Sequence, residues 1–538
     1  MLRSTFLGYK TATSSLRVNQ NMMDVVGQNI SNINTKGYTR QRLDINSVAF
    51  STSNMKFGTT GVIIGQGVQA SGVSQFRDSF LDLRYRMGAA KTGSEGAQLE
   101  ALSDLESIFD EISLDGLDAQ FSDLLEQLNS LTSSPSDPVI EGVVRTSAQM
   151  LAQMFNDYSK RIDTIKDQQL SYLEDGAVVK VNQLLENIAK LNQQIKADNI
   201  SGNPALELND ERNLLIDELS NYLDIEVVIT PESIGGNKSV DVLSIELKGN
   251  GMKLVDGKNA AELEVKQDDD VEIRLKKSID ANFADDADLT LAIDKGQIGG
   301  YIKFLNGKGE FAKDTDHESE ANVKGVQYYK SMLDTLANKF ANVMNEVNKV
   351  PTYDANGNLQ YDADGKIIGT EKPLFESRDD NPDDGITPII TAGNIKISDA
   401  WANSTESYIT NTIIKSDGDD STGATDNILR MISKFKSKEA FMTSDDATGK
   451  ALFSGSFQEF LSYTTTRLNL QVADVQTSYD TYSESQYQID FARSSMSSVD
   501  LNEEGVNFLQ YSKSFNAASR LMTTIDEMLD TLINRMGV

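Results

Sequence analysis

The sequence predicts a mainly α-helical, multidomain α+β protein, with paired coiled-coil-like helices at its two ends, a long-helix domain, and one or two small inserted β domains. Three observations carry that expectation. Heptad-spaced apolar residues occupy both ends, all eight prolines fall between Pro135 and Pro388, and strand-like alternation is confined to the interior. Proline removes an amide donor and clashes with the preceding helical turn, so proline-free ends leave long helices unbroken.

At the N-terminal end Leu2, Tyr9, Leu16, Met23 and Ile30 recur every seven residues, with Phe6, Thr13, Gln20 and Gly27 in the offset row. One row is apolar and the other mixed, which makes a half-strength heptad. The C-terminal end is cleaner. Leu501, Phe508, Phe515, Met522, Leu529 and Met536 form one row, and Tyr511, Ala518, Ile525 and Leu532 the other. Asn502 reads as the N-cap of this helix, with Glu503 and Glu504 facing the positive end of its dipole. These apolar rows are the expected assembly seam.

Between the ends, residues 97–132 read as one helix and 138–197 as a long helix or a broken pair, opened by Asp137 as N-cap and Pro138 at the first helical position. Residues 205–223, 320–349 and 428–498 also carry helical periodicity. Residues 225–293 alternate in the strand manner between Gly- and Asp-rich turns, and 350–425 are turn-rich with short strands. The expected domains are therefore 1–45 with 500–538 as a terminal helical assembly domain, and 46–224 with 294–349 and 426–499 as a helical domain. Residues 225–293 make a β domain, and 350–425 a turn-rich β domain or insertion.

Composition narrows the function. At 538 residues the chain exceeds what one core usually serves, and a net charge of −31 argues against a nucleic-acid partner, which needs a basic face. The charge is uneven: Arg3, Lys10, Arg17, Lys36, Arg40 and Arg42 face only Asp24 and Asp44 within residues 1–45. There is no Cys, so disulfides and thiolate metal sites are excluded. No run of about 18 apolar residues exists to insert in a membrane. The opening MLRSTFLGYKTATSS has no continuous apolar core of the kind a Sec signal needs, so export would use another route.

Catalytic machinery is hard to find, and neither an enzyme nor a cofactor is expected. His317, the one histidine, stands in the polar stretch DTDHESE, and without Cys there is little from which to build a histidine metal site or an activated nucleophile. The acidic runs at 268–270, 285–288 and 417–420 read as solvated loops. The tandem octapeptides that begin at Tyr353 and Tyr361 put Gly357 and Gly365 at position four, where a calcium loop wants glycine at six; they read as hairpin turns.

The strongest local signal is the stretch from Gly27 to Arg40, GQNISNINTKGYTR. The seam ends at Ile30. Asn32, Asn34 and Thr35 are suited to local hydrogen bonds, Gly37 permits positive φ, and Tyr38 and Arg40 present a phenol and a guanidinium. The signature Asn29, Ile30, Ser31, Asn32, Asn34, Thr35, Gly37 and Tyr38 resembles the one that follows the first helix in bacterial flagellar axial proteins of rod, hook and junction. The segment SVDLNEEGVNFLQYSKSFNAASRLMTTIDEMLDTLINRM resembles that family's closing helix. Interior landmarks, namely Gly65–Val68, Phe76–Leu81 with Tyr85 and Arg86, Ser136–Pro138, Asp210–Leu219 and Gly296–Gly300, resemble those of the subunits that join hook to filament.

The resemblance implies a tubular layer of subunits outside the cell, built from copies of this chain and touching the hook protein and the next junction protein. It also implies export through the flagellar type III apparatus, and a cytosolic export chaperone on the C-terminal helix. A hook or rod subunit is the alternative within the family. A secreted adhesin that uses the β domains, with the helical ends only oligomerising, is the alternative outside it. An enzyme within 350–425 has no visible chemistry.

Overall fold

The computed structural model describes residues 5–48, 67–114, 116–235, 238–268, 270–276, 283, 286–313, 321–354, 356, 358–362, 367–379, 389–413, 423–444 and 449–535. Helix α1 (Thr5–Ser31) leads into a hairpin of β1 (Gln41–Ser47) and β2 (Val68–Gln75), then into α2 (Ser79–Leu114), α3 (Leu117–Leu131), α4 (Pro138–Ser171), α5 (Val179–Ser201) and α6 (Leu206–Tyr222). Strands β3 (Ile225–Gly235), β4 (Lys238–Leu247), β5 (Met252–Asp256) and β6 (Asn259–Ala260) form an antiparallel sheet in that order, and β7 (Leu263–Gln267) pairs with β8 (Val271–Leu275). Helices α7 (Gly296–Asn306) and α8 (Val326–Val347) follow. Two short pairs come next, β9 (Lys349–Pro351) with β10 (Gly369–Glu371), and β11 (Phe375–Ser377) with β12 (Ile395–Ile397). The chain closes through α9 (Asp399–Ala402), α10 (Asp426–Lys436), a hairpin of β13 (Glu439–Met442) and β14 (Ala451–Gly455), α11 (Phe457–Ser497) and α12 (Leu501–Asp530).

The fold is predominantly helical with long helices at both ends and several small sheets, as the sequence pattern implies. Asp137 caps α4 as expected, its side chain accepting from Val139 N–H at 2.8 Å. Tyr172–Val178 join α4 to α5 as π-helix, so the 138–201 run is one rod and not a broken pair. Several expectations need correcting. The 97–132 stretch breaks at Gly116 into α2 and α3. The 428–498 stretch is interrupted by the β13–β14 hairpin, because Phe441 and Phe453 pack on Phe460 and Ser456 then restarts a helix with a reciprocal Glu459 cap. The β1–β2 hairpin straddles the expected boundary at 45 and has no alternating apolar face to announce it. Asp500, and not Asn502, caps α12, accepting from Asn502 N–H at 2.7 Å.

The main core begins with α2, which runs beside α11, with Gly88 facing Gln486 and Gly96 facing Tyr479. On its other side α7 approaches so closely that a Cβ on Gly300 would stand 2.4 Å from the Ser94 carbonyl. That contact explains the Gly-rich landmark at 296–300. Phe121 of α3 then gathers Phe155, Phe340, Phe435 and Phe457 at ring separations of 5.3–6.3 Å, tying α4, α8, α10 and α11 into one apolar body. The octapeptide repeats carry bridges Tyr353↔Leu359 and Tyr361↔Ile367, with Asp354 Oδ1 accepting from Asn356 N–H and Asn358 N–H at 2.8 Å.

Residues 367–413 set Phe375, Ile395 and Trp401 into the main core, and buried polar side chains also pin them to the helices. Asn345 of α8 accepts from Leu374 N–H and Phe375 N–H at 2.7 and 2.9 Å, and Asn348 accepts from Thr410 N–H at 2.7 Å. Glu141 of α4, 4 % exposed, accepts from Trp401 Nε1, Ser407 Oγ, Tyr408 N–H and Ile409 N–H at 2.6–3.2 Å. Removing that carboxylate strands four donors, each worth about 1–3 kcal/mol when buried and unmade. Glu141→Ala is therefore expected to cost about 3–5 kcal/mol. Hydrogen exchange should show protection lost first across residues 398–413.

Asp334, half-buried on α8, accepts from Ala392 N–H at 2.9 Å. Burial above all, and nearby Asp163, push its carboxyl up to about 6 against the opposing effects of that hydrogen bond and Lys330. The fold therefore binds a proton that the unfolded chain has already released between about pH 4 and 6. The stabilisation is complete below that window and is lost as pH rises through it. Asp334→Asn, which mimics the protonated form, is expected to exceed wild type by about 1–3 kcal/mol at pH 7.5 and to match it near pH 4 in urea unfolding.

Candidate assembly site

Helices α1 and α12 lie antiparallel: a Cβ on Gly8 would stand 3.3 Å from Ile525 Cδ1, and near the other end Asn29 meets Glu504. Asn29 is 1 % exposed and fully used. Its Oδ1 accepts from the Tyr38 hydroxyl (2.9 Å) and Gln41 N–H (3.0 Å), and its Nδ2 donates to the Gln41 carbonyl (2.9 Å) and to Glu504 Oε2 (3.1 Å). One amide thereby holds the end of α1, the following turn, the start of β1 and the first turn of α12.

The turn is built for this. Ser31 Oγ and Asn32 Nδ2 donate back to the Gly27 and Gln28 carbonyls, and Thr35 Oγ1 donates to Asn32 Oδ1. Gly37 takes φ +81°, with the Leu214 side chain 3.5 Å from where a Cβ would sit. Burial, then Glu207, Asp210 and Glu504, push the Tyr38 phenol upward, so it remains a donor to Asn29. Asn34 is exposed and Ile30 half-buried.

Charge completes the knot. Arg40 donates Nε to Glu504 Oε1 (2.9 Å) and Nη1 to Glu503 Oε2 (3.0 Å), and its own N–H donates to the Ser497 carbonyl at 2.9 Å. Thr39 N–H donates to Asp210 at 2.9 Å, and Gln41 Nε2 to Glu207 at 3.0 Å. Arg77 pairs with Asp82 at 2.6 Å and lies 3.8 Å from Asp210; Arg86 and Arg493 grip Asp217 at 2.8 and 2.5 Å. The stretches 27–40, 76–86, 210–219 and 498–504, separate along the chain, meet in one place. Sequence reading singled out each stretch but missed the pairing of Arg40 with Glu503 and Glu504 and of Thr39 with Asp210. The opposite charges were visible; which acid faces which base was not.

The seam residues are unevenly placed. Ala518 and Ile525 are buried, Tyr511, Phe515, Met522 and Leu529 half-buried, and Leu501 and Phe508 exposed by 54 % and 44 %. On α1, Leu16 and Met23 are half-buried and Tyr9 exposed, while Ala12, Val18 and Val26 are the buried apolar residues. Within a single chain Leu501, Phe508 and Tyr9 are thus not core. One helix covers only a narrow strip of its partner, and the small residues sit where the backbones come closest. Leu2, Met536 and the side chains of Phe6 and Leu532 lie outside the described residues. Val506, Leu509, Leu521, Met528 and Ile533 extend the exposed apolar surface of the C-terminal helix.

Asn29→Ala would leave the Tyr38 hydroxyl, Gln41 N–H and Gln41 carbonyl unmet, at a cost of about 2–4 kcal/mol. Asn29→Asp keeps the shape but sets a second carboxylate against Glu504, and is expected to be at least as damaging. Hydrogen exchange over 38–45 and 498–506 should report both losses, with residues 117–165 unchanged.

Among the described residues no helix is long and apolar enough to cross a membrane, and no group of His, Cys, Asp and Glu is arranged to hold a metal. A model of the flagellar hook-associated protein FlgK helical domain matches residues 102–363, and one of the flagellar basal body rod FlgEFG protein C-terminal region matches 493–536, the stretch that includes Glu503 and Glu504. The chain is 29 % identical to flagellar hook-associated protein 1 of Bacillus subtilis (strain 168), over 100 % of this chain and 99 % of that one. It is 25 % identical to the Escherichia coli (strain K12) protein of the same name, over 82 % and 71 %. The solved flagellar hook junction protein FlgK from Burkholderia pseudomallei shares the fold with a TM-score of 0.54, covering 77 % of this chain and 100 % of that one at 14 % identity. With matches spread from α1 to α12, the chain belongs to the flagellar hook-associated protein 1 family.

Proposed function

We propose that the α1–α12 pair is the part of this chain that tiles with its neighbours, and that the polar knot at Asn29 aims the pair for tiling. The chain is an extracellular structural subunit of the bacterial flagellum at the junction of hook and filament, not an enzyme, and its partners are other flagellar axial proteins. The observation that carries the finer reading is the apolar surface that α12 leaves open beside a formed helix pair. Leu501, Val506, Phe508, Leu509, Leu521 and Met528 are each exposed by 44–64 %. A run of this kind on one helix marks an interaction surface.

Copies of the same chain would supply the cover, with the hook protein below and the next junction protein above. The same surface would need a cytosolic chaperone before export, since a long apolar helix left bare invites aggregation. Self-assembly through α1 and α12, the named neighbours and the chaperone all rest on this reading.

Phe508→Glu combined with Met528→Glu tests it. Both side chains are exposed in the single chain, so monomer stability should change by no more than about 0.5 kcal/mol each. Cells carrying the double variant are expected to build hooks, fail to retain filaments and release flagellin as monomer. Normal filaments would overturn the proposal.

A further inference from the structure

We propose that a groove beside the π-helical segment, on the opposite end of α6 from the polar knot, is a receptor for a guanidinium group. Glu100 of α2, Tyr172 and Asp175 of the π-helix, Tyr222 at the end of α6 and Tyr301 of α7 line a space of about 640 Å³. Tyr301 is only 5 % exposed, and its hydroxyl has no hydrogen-bond partner among the described residues. Glu100 is exposed and has no ion pair among them. Lys180, the cation among the lining residues, is held by Glu218 at 2.9 Å. Burial, then Glu100, then the Tyr172 and Tyr222 phenols push the Tyr301 phenol up to about 12, which marks the crowding of negative and electron-rich groups around it.

Elsewhere the chain completes this arrangement with its own arginine, and two cases show it well. Arg493 lies 3.9 Å from the centre of the Tyr85 ring and pairs with Asp217 and Asp490 at 2.5 and 2.9 Å. Arg467 lies 5.6 Å from both the Tyr328 and Tyr463 rings and pairs with Glu310. A guanidinium suits such sites because its planar face stacks on a ring while its edge donates to carboxylates. In the groove the rings and carboxylates are present and the arginine is not.

The backbone agrees. A π-helix is uncommon and recurs at functional sites. Gly176 within it is a poor helix former, yet a Cβ there would meet nothing within 4 Å. Packing does not require this glycine. Its effect is to leave the groove floor open.

The guanidinium would come either from a free ligand or from an arginine of a neighbouring copy, and the test separates them. Full-length protein is titrated calorimetrically with N-butylguanidinium and with its neutral isostere N-butylurea. Binding of the cation alone is expected, weakened about fivefold or more by Glu100→Gln and by Tyr301→Phe. Gly176→Leu, which fills the groove and favours helix, should abolish binding in a protein that still melts cooperatively. Equal binding of urea and guanidinium, or no response to any of the three variants, overturns the proposal. Because the chain lacks cysteine, Ser171→Cys gives a single reporter at the rim. Maleimide labelling slowed by N-butylguanidinium in the monomer and unaffected by assembly supports a free ligand. Labelling slowed on assembly as well supports a neighbour's arginine, and labelling slowed in neither case overturns both.

Discussion

The two ends of the chain are brought into register by one buried amide. A heptad seam by itself is periodic, so two helices held only by apolar contact can slip by seven residues and regain much of their burial. A buried polar group has no such alternative position, because every slip strands its donors and acceptors. Asn29 meets Glu504, Tyr38 and both backbone groups of Gln41, and Arg40 closes the far side of Glu504. Slipping α1 against α12 would break the Asn29 and Arg40 contacts to Glu504 together, while those to Tyr38 and Gln41 keep Asn29 aimed at α12. The same knot reaches α6 through Asp210 and Glu207, so it also sets the angle at which the terminal pair leaves the rest of the molecule.

That arrangement explains why the terminal pair tolerates being half covered. Its buried apolar residues, Ala12, Val18, Val26, Ala518 and Ile525, do not belong to the continuous core that runs from α2 to α11. A two-helix arm with so little burial stands at the low-stability end of the molecule. Specific polar contacts at its base hold it in one geometry, and apolar side chains along its length stay exposed. A net charge of −31 adds long-range repulsion between copies of the chain.

Much of this was legible in the sequence, and the limits are physical. Periodicity and proline placement announced the terminal helices, the Asp137–Pro138 start of α4 and the strands after Ile225, because burial of one face imposes a repeat that any reader can count. The β1–β2 hairpin left no such mark, since β1 reads QRLDINS and buries little beyond Gln41. The heptad count favours large residues, yet Ala12, Val18 and Val26 are the buried apolar ones on α1, because close helix approach selects small side chains. The signature was recognised as a unit from Asn29 to Tyr38. Its partners, Glu504 and Asp210, lie 475 and 181 residues from Asn29, and pairing across such separations has no local spacing to reveal it.

Polar and apolar contacts divide the labour in this chain along a consistent line. Where the molecule must fix one internal geometry, it uses buried polar side chains with every partner supplied: Asn29 at the base of the arm, where no continuous core runs, and Asn345, Asn348 and Glu141 under residues 367–413, where they add direction to apolar burial. On the proposed tiling, the surface offered to other chains is apolar side chains on a helix already formed. Polar knots are unforgiving of a missing partner, so they suit contacts whose partners are always present in the same polypeptide. Apolar surface accepts some sliding and repacking, so it suits contacts with neighbours that differ above and below. A junction between two unlike assemblies needs both properties in one subunit, a fixed interior angle and an adaptable exterior face, and the two meet in the first turns of α12, where Glu503 and Glu504 close the knot beside the exposed Leu501, Val506 and Phe508.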